Sequence, residues 1–470
     1  MTRAILAALV ALLGITSCAG NSASATGQAG LPQGPPLDSA RTSSKYIKHV
    51  IVMIQENRSF NDFFATFPGA DGTTKGTMKG GKTIELRKAD LGERCDFGHS
   101  YNGFVRDYDG GKMDGFSLEG GSGNCPGKAG TAPYQYVKPA QIAPYWDIAK
   151  QYVLADHMFQ TQGSGSYTAH QDLIRGSTTI DEDQTESLVD FPSRIPWGCD
   201  APKSPPTVTS LLVWNGSALK NEYHQGPFPC SNDFPSSGAY YETLRDLLDA
   251  KGVSWKYYSP PVKNGVGGYW NAFDTIYPVR YGSEWGTNVT DSDTLIFSDI
   301  KDNTLPAMSW LIPDAANSDH PGSGRDTGPS WVASVVNAVG ESSYWDSTVV
   351  IVLWDDWGGF YDNLAPPFFD HWGGLGFRVP TMVVSAYARK GSSSQGGYVS
   401  QTQYEFGSIL KFIENNWNLG RLGTTDARAT SIVDCFDFTQ APRAFKKISS
   451  KYSRTYFERQ PPSYQPVDTE

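Results

Sequence analysis

The segment "HVIVMIQENRSFNDFF" (residues 49–64) begins as an unbroken apolar run and ends in a cluster of polar side chains. A short run rich in Val and Ile, without alternation of polar residues, is typical of a strand that is covered on both faces of a parallel sheet. Similar runs occur at "TVVIVLW" (348–354) and "PTMVVSA" (380–386). We therefore predict buried strands at these places, the first of them over residues 49–54.

Helical patterns lie between the apolar runs. Apolar residues recur at helical spacing in three segments, which are "YETLRDLLDAKG" (241–252), "SWVASVVNAVGES" (330–342) and "QYEFGSILKFIENNW" (403–417). Alternation of strands and helices, with long Gly-rich segments between them, favours an α/β fold. We predict a single large domain over residues 45–470, with a mostly parallel central sheet, helices on both faces and long loops over the active site.

Polar pairs follow two of the predicted strands. Glu56 and Asn57 follow the first run, and Asp355 and Asp356 follow the second. Ligands bind beyond the carboxyl ends of strands in open α/β sheets, so the two pairs could meet at one site. Grouped carboxylates repel each other unless a cation lies among them, which predicts one divalent metal ion, with Ca, Mg and Mn among the candidates. In the alternative interpretation, each pair is solvated separately on a loop.

A hydroxyl nucleophile is predicted in "QGSGSYTAHQ" (162–171), where Gly and Ser precede a helical stretch. Such a helix N-terminus is a natural seat for phosphate, and a serine near a metal could attack phosphorus. We predict Ser166 as the nucleophile, with Ser164 and Thr168 as alternatives. His99 and His320 lie in polar, Gly-containing loops and are candidates for proton donation or phosphate binding.

The N-terminus has the form of an export signal. One positive charge at Arg3 precedes a short apolar segment, and "ITSC" (15–18) resembles a bacterial lipobox. We predict a lipoprotein-type signal peptide over residues 1–17, a lipid anchor on Cys18 and a flexible tether over residues 18–44. The protein would then be exported to the cell envelope and face the periplasm or the exterior.

Charge and cysteine content agree with an exported enzyme that does not bind nucleic acid. The formal net charge is −10, and the sequence has no Lys/Arg-rich run that could bind phosphate backbones. Cys95 with Cys125 and Cys199 with Cys230 are plausible local disulfides, with Cys435 buried and free, although the sequence leaves the connectivity open. The sequence contains no Cys-x-x-Cys pair, so the cysteines give no indication of a zinc site. The sequence does not predict an oligomeric state.

Several motifs together resemble a bacterial phosphoesterase family that contains nonhaemolytic-type phospholipases C and a periplasmic acid phosphatase, within the alkaline phosphatase superfamily. The resemblance runs from about His49 to Trp417, and it includes "IVMIQENRSFNDFFATFPGADG", "GHSYNGFVRDYDGGKMDGF", "SDHP" and "VLWDDWGGFYDNLAPP". It implies an alkaline-phosphatase-like fold and metal binding by four residues, Glu56, Asn57, Asp355 and Asp356. It also implies that His99 and His320 act at the phosphate site and that Ser166 falls on the nucleophile position.

The sequence departs from the family pattern in two places. The Pro, Asn and Arg that follow the nucleophile in the phospholipases are replaced by Thr168, Ala169 and His170, and the family's Asp-Glu-His-Gly-Gly becomes Asp-Asp-Trp-Gly-Gly at residues 355–359. We expect hydrolysis of a phospholipid or a small phosphate ester through a phosphoserine. A noncatalytic surface binding lipoprotein and a metal-independent serine esterase are the alternatives, although no Gly-x-Ser-x-Gly motif supports the latter.

Overall fold

The computed structural model describes most of the chain from Ser43 onwards. The described residues are 43–123, 125, 130–190, 192–193, 197–204, 206–225, 230–235, 241–262, 270–367, 370–392, 394 and 396–461. The predicted signal peptide, Cys18 and nearly all of the predicted tether lie outside them. These assignments therefore stay predictions.

The strands are numbered in chain order: β1 His49–Gln55, β2 Lys75–Met78, β3 Lys82–Glu85, β4 Arg87–Ala89, β5 Cys95–Phe97, β6 Gly121–Gly123, β7 Gln135–Val137, β8 Val153–Ala155, β9 Met158–Phe159, β10 Glu186–Val189, β11 Val208–Trp214, β12 Leu219–Gln225, β13 Trp255–Tyr258, β14 Val289–Thr290, β15 Met308–Leu311, β16 Thr348–Trp354, β17 Thr381–Ser385, β18 Tyr398–Ser400 and β19 Tyr404–Glu405. The helices are α1 Phe60–Phe64, α2 Tyr101–Tyr108, α3 Ala143–Gln151, α4 Ser166–Arg175, α5 Leu244–Ala250, α6 Tyr277–Arg280, α7 Leu295–Lys301, α8 Gly328–Gly340, α9 Phe406–Trp417, α10 Thr425–Arg428 and α11 Arg454–Glu458.

An eight-stranded sheet in the order β14-β13-β15-β1-β16-β17-β8-β18 forms the centre of the fold. β17 runs antiparallel to its neighbours β16 and β8, whereas the other pairs in the sheet are parallel. The predicted mostly parallel sheet is therefore confirmed. β1 and β16 are adjacent central strands, and every residue of β16 is buried, as expected for a strand covered on both faces.

Helices cover both faces of this sheet. Tyr257 and Trp310 are partners in register on β13 and β15, and the Trp310 indole donates to the carbonyl oxygen of Leu173 in α4. The next side chain along β13 points to the opposite face, where the Tyr258 hydroxyl donates to Asp299 of α7 at 2.6 Å. The apolar side chains between these layers form the core, and each fully buried one contributes about 1.5–3 kcal/mol.

The three predicted helices are confirmed with shifted ends, at α5, α8 and α9. The start of α5 is fixed by local chemistry, because Thr243 and Asp246 form a capping box that satisfies backbone N–H groups of the first turn. Disulfides join Cys95 to Cys125 and Cys199 to Cys230, and Cys435 is buried and free, as predicted. Among the described residues we find no helix whose length and hydropathy would let it cross a membrane.

Candidate active site

The parallel pairing of β1 and β16 brings the two predicted polar pairs together. The last residues of these strands, Gln55 and Trp354, are partners in register. The pairing continues beyond them, because the Asp355 N–H donates to Gln55 O at 3.0 Å. The Asn57 N–H donates in turn to the Asp355 carboxylate at 2.9 Å. Glu56, Asn57, Asp355 and Asp356 are all fully buried, so the alternative of separately solvated pairs is wrong.

A glycine allows this close approach of the two loops. Gly358 has a φ of 60°, and a Cβ atom there would lie 2.3 Å from the carbonyl oxygen of Asn57. Asn57 itself has a φ of 58°, a backbone conformation that non-glycine residues rarely adopt and that recurs at functional sites. The backbone is therefore shaped so that both polar pairs turn inward.

Helix α4 places its first residue, Ser166, against these side chains. The Ser166 hydroxyl lies 3.1 Å from Oδ2 of Asp356 and 3.3 Å from Oδ1 of Asn57, and either oxygen can accept its hydrogen bond. Ser166 is 4% exposed, so protein atoms surround nearly all of this residue. The arrangement joins a helix N-terminus, a hydroxyl and a buried carboxylate, which are the groups that the sequence analysis expected at the nucleophile.

The two alternative hydroxyls point to different partners. Ser164 donates to the Thr168 hydroxyl at 3.0 Å, and Thr168 donates to the backbone carbonyl of Asp190 at 3.3 Å. Ser164 Oγ also accepts from the Asp190 N–H at 2.8 Å. These contacts tie the loop before α4 to the segment after β10, which leaves Ser166 as the hydroxyl beside the carboxylates. Its role as nucleophile stays a prediction.

The described residues place little positive charge beside these buried carboxylates. Burial raises the pKa of Glu56 well above its usual value, and Asp355 and Asp356 raise it further. Burial, and then Asp355, raises the pKa of Asp356 to about 8, while His99 lowers it. Glu56 Oε2 and Asp355 Oδ2 accept no hydrogen bond from the residues that the structure describes. Buried carboxylate oxygens in this state are suited to a cation.

A histidine that the sequence analysis did not assign to the site joins these carboxylates. His170 Nε2 lies 3.0 Å from Glu56 Oε1 and 3.7 Å from Asp355 Oδ2. Ligand atoms of Glu56, His170 and Asp355 lie within 4.8 Å of one another, so these residues could hold a metal ion. Burial lowers the pKa of His170 to about 4, which keeps its imidazole neutral at ordinary pH.

His99 lies on the side of the site where Ser166 is placed. Its Nδ1 donates to Phe97 O at 2.8 Å, and its Nε2 accepts from the Asn57 side-chain amide at 2.9 Å. The same Nε2 is 3.9 Å from Asp356 Oδ2. The structure thus brings His99 into the same cluster as Asn57, Asp356 and Ser166, although no observation tests its predicted role.

His320 lies on the loop after β15, which runs alongside the end of β1. The Glu56 N–H donates to Ser318 O at 2.8 Å, which holds this loop against the site. The His320 ring stacks on Trp270 with centroids 5.8 Å apart, and its Nδ1 donates to Pro321 O at 2.5 Å. The predicted contribution of His320 to acid catalysis or phosphate binding stays a prediction.

Comparison with known proteins places the chain in a family. Residues 47–420 match the model of the Phosphoesterase family. A non-hemolytic phospholipase C from Burkholderia pseudomallei is 23% identical over 436 residues, which cover 79% of this chain and 55% of that protein. Phospholipase C A from Mycobacterium tuberculosis is 24% identical over 460 residues, covering 85% of this chain and 78% of that protein. The chain therefore spans about half the length of some of these relatives.

A solved structure is also similar to this chain. A protein in the alkaline phosphatase superfamily from Vibrio parahaemolyticus matches with a TM-score of 0.34 and 12% identity, covering 81% of this chain and 74% of that one. A similarity at this level adds nothing to the fold class, which follows from the strand order above. The family match, in contrast, covers more than half of the sequence, including the strands, the polar pairs and Ser166. The chain belongs to the Phosphoesterase family.

Proposed function

We propose that this protein is an exported, metal-dependent phosphoesterase that cleaves phosphate esters through a phosphoserine at Ser166. The observation that carries the proposal is the position of the Ser166 hydroxyl, 3.1 Å from a buried carboxylate and at the first residue of a ten-residue helix. The family membership and the phospholipase C names of its relatives support the same reaction class.

In the proposed reaction the Ser166 oxygen attacks phosphorus, and the bond from phosphorus to the leaving oxygen breaks. The hydroxyl proton passes to Asp356, because Oδ2 of Asp356 lies nearer to the Ser166 hydroxyl than Oδ1 of Asn57 does. N–H groups at the start of α4 face the incoming phosphate and favour its negative charge. His99 or His320, as an imidazolium that carries a second proton, provides the proton for the departing alkoxide and becomes neutral. Water then attacks the phosphoserine and gives its proton to the neutral histidine, while Asp356 returns a proton to the Ser166 oxygen. Phosphate or a phosphomonoester is released.

The site fits one divalent metal ion. Glu56, Asn57, Asp355 and Asp356 would supply oxygen ligands, since the site is rich in buried carboxylate and shows unpartnered oxygens on Glu56 and Asp355. When bound, the ion would favour the serine alkoxide and stabilise negative charge on the phosphoryl oxygens. Asn57 contributes in a second way, because its side-chain amide holds His99 through a hydrogen bond of 2.9 Å.

The proposed substrates are a phospholipid head-group ester or a small phosphomonoester. The names of the relatives favour the first class, and a lipid anchor on Cys18 would hold the site near a membrane. The second class fits the serine at the nucleophile position, which resembles the phosphatase branch of the family. The proposed location is the cell envelope, with the catalytic domain outside the cytoplasm.

The test is hydrolysis of a chromogenic phosphomonoester and of a phosphatidylcholine analogue by the purified protein, before and after chelation. We expect activity that chelation removes and divalent metal restores. Ser166→Ala should lower kcat by at least about 10³-fold. Ser164→Ala is the matched control, since it removes a buried hydroxyl two residues away and should retain most activity.

The substrate that the protein hydrolyses faster then distinguishes a phospholipase C from a phosphatase. A phosphoserine trapped at acid pH in the native protein, and absent from Ser166→Ala, would establish the covalent step. Activity that survives both chelation and Ser166→Ala would overturn the proposal and favour a metal-independent esterase. Metal binding without turnover of any phosphate ester would instead favour a binding protein. Release of the mature protein from membranes after Cys18→Ala tests the proposed anchor.

A further inference from the structure

His170 occupies a position that the proposed metal ligands do not explain. It lies one helical turn after Ser166 on α4, so both side chains project from the same face of the helix. Ser166 contacts Asn57 and Asp356, whereas His170 contacts Glu56 and Asp355. One face of a single helix therefore presents a hydroxyl to one half of the carboxylate cluster and an imidazole to the other.

The separations around His170 match those between ligands of one ion. Two ligands at about 2.1 Å from a common ion lie roughly 3.0 Å apart at a right angle and roughly 4.2 Å apart when opposite. His170 Nε2 is 3.0 Å from Glu56 Oε1 and 3.7 Å from Asp355 Oδ2, within this range. The imidazole can therefore coordinate the same ion as both carboxylates without changing its rotamer.

A second observation points to a cation at this place. Glu56 and Asp355 are both fully buried, and each has a carboxylate oxygen that accepts no hydrogen bond from the described part of the chain. Among the described residues, these two carboxylates contact the neutral imidazole of His170 and form no ion pair with a lysine or arginine. His170 donates to Glu56 Oε1, and backbone N–H groups donate to Asp355 Oδ1, so Glu56 Oε2 and Asp355 Oδ2 are the two oxygens that still require a positive partner.

We propose that His170 is a nitrogen ligand of the divalent ion, and that this nitrogen makes the site select a first-row transition ion over Ca²⁺ and Mg²⁺. This inference rests on the proposed metal-dependent function and narrows its cofactor. Carboxylate and carbonyl oxygens suit Ca²⁺, Mg²⁺ and Mn²⁺, whereas imidazole suits Fe, Zn and other later ions of the series. A mixed site with Glu56, Asp355 and His170 resembles the donor sets of the second group.

The experiment measures metal binding rather than activity. Affinities for Zn²⁺ and Ca²⁺ are determined by calorimetry on metal-stripped full-length protein, for the native sequence, His170→Ala and His170→Gln. We expect both variants to lose at least tenfold in Zn²⁺ affinity and to change Ca²⁺ affinity by less than about threefold. His49→Gln is the matched control, because His49 lies at the start of β1, at the opposite end of the strand from Glu56, and its Nδ1 lies 2.9 Å from Pro306 O.

Pulsed EPR of bound Mn²⁺ provides a direct readout of the ligand. Imidazole ¹⁴N modulation should appear in the native protein, disappear in both His170 variants and persist in His99→Gln. Circular dichroism and the metal-free melting temperature show whether each variant is folded. The two variants guard against a structural effect, since Gln can keep the hydrogen bond to Glu56 but offers no imidazole nitrogen.

The outcomes separate this inference from the function on which it rests. Native protein that binds metal and cleaves phosphate esters, but shows no nitrogen modulation or an equal loss of Zn²⁺ and Ca²⁺ affinity in the variants, overturns the role of His170 alone. Rescue of Zn²⁺ affinity by His170→Gln would do the same. Native protein that binds no divalent ion overturns both this inference and the metal dependence of the proposed function.

Discussion

The substitution Glu56→Gln should stabilise the metal-free protein while it weakens metal binding, which is the reverse of the usual effect of changing a buried side chain. Without metal, Glu56 is fully buried next to Asp355 and Asp356, and burial together with these charges raises its pKa well above 4.5. Gln has nearly the same shape and carries no charge. Its amide can also donate to Asp355 Oδ2, which accepts no hydrogen bond from the described residues.

The magnitude follows from proton linkage. A carboxyl group whose folded pKa is raised loses stability as pH rises from its unfolded pKa through its folded pKa, because only the folded state retains the proton. Because the pKa of Glu56 is raised well above 4.5, the penalty grows as pH rises above that value, by up to about 1.4 kcal/mol per pH unit while the folded state keeps the proton. The penalty is therefore smaller at pH 5.5 than at pH 7. Glu56→Gln removes this penalty.

The assay is chemical denaturation in the presence of a chelator at pH 5.5 and pH 7, with calorimetric metal titration of both proteins. We expect Glu56→Gln to be more stable than the native protein at pH 7, to have a smaller advantage at pH 5.5 and to lose metal affinity by at least tenfold. Glu85→Gln is the control, since Glu85 is 71% exposed and its change should stay within about 0.5 kcal/mol. A metal-free Glu56→Gln protein that is less stable than the native one at pH 7 would refute the reasoning.

Three further substitutions test the frame of the site and of the fold. Gly358→Ala should destabilise the protein by about 2–4 kcal/mol and weaken metal binding, because residue 358 has a φ of 60° and an added Cβ would lie 2.3 Å from Asn57 O. Chemical denaturation should show a smaller loss for the control Gly80→Ala, where φ is also positive but an added Cβ meets no atom within 4 Å. Arg378→Met should cost about 3–5 kcal/mol in the same assay, since it leaves two buried aspartates without their partner, and a loss below 1 kcal/mol would contradict this. Glu414→Gln should reduce the fall in unfolding free energy between about pH 4.5 and pH 7. Burial raises the pKa of Glu414 to about 7, so ionisation of this residue costs the native protein stability over that interval. An unchanged pH slope of the unfolding free energy would contradict this prediction.

The sequence predicts those parts of the fold that depend on local pattern. Unalternated runs of Val and Ile identify β1, β16 and β17, because such runs are buried on both faces wherever they lie in a parallel sheet. The order and direction of the strands cannot be predicted from such local patterns. Nothing in the composition of β17 shows that it runs antiparallel between β16 and β8, since direction depends on the path of the connections and on packing against helices.

The grouping of Glu56, Asn57, Asp355 and Asp356 could be predicted because it needs only that β1 and β16 be parallel neighbours. Their burial could not, because it depends on loops from distant parts of the chain. The Glu56 N–H donates to the carbonyl oxygen of Ser318 in the loop after β15, and His99, from a separate segment, accepts from the Asn57 side-chain amide. Sequence gives the residue types at such contacts, but not which loops meet.

His170 shows where position-by-position comparison with a family is insufficient. The resembled motif has an arginine at this position and a histidine at the position of Trp357, so each change taken alone removes a group expected at the site. In the structure, Trp357 is fully buried against Phe104 and Phe377, with its ring edge toward His99 at 6.2 Å, whereas His170 contacts the carboxylates. Relative to the resembled motif, an imidazole is therefore absent at one side of the site and present at the other. The helical spacing of four residues from Ser166 was the available signal, since it places residue 170 on the face of α4 that carries Ser166. Ser166 contacts Asn57 and Asp356, which follow β1 and β16.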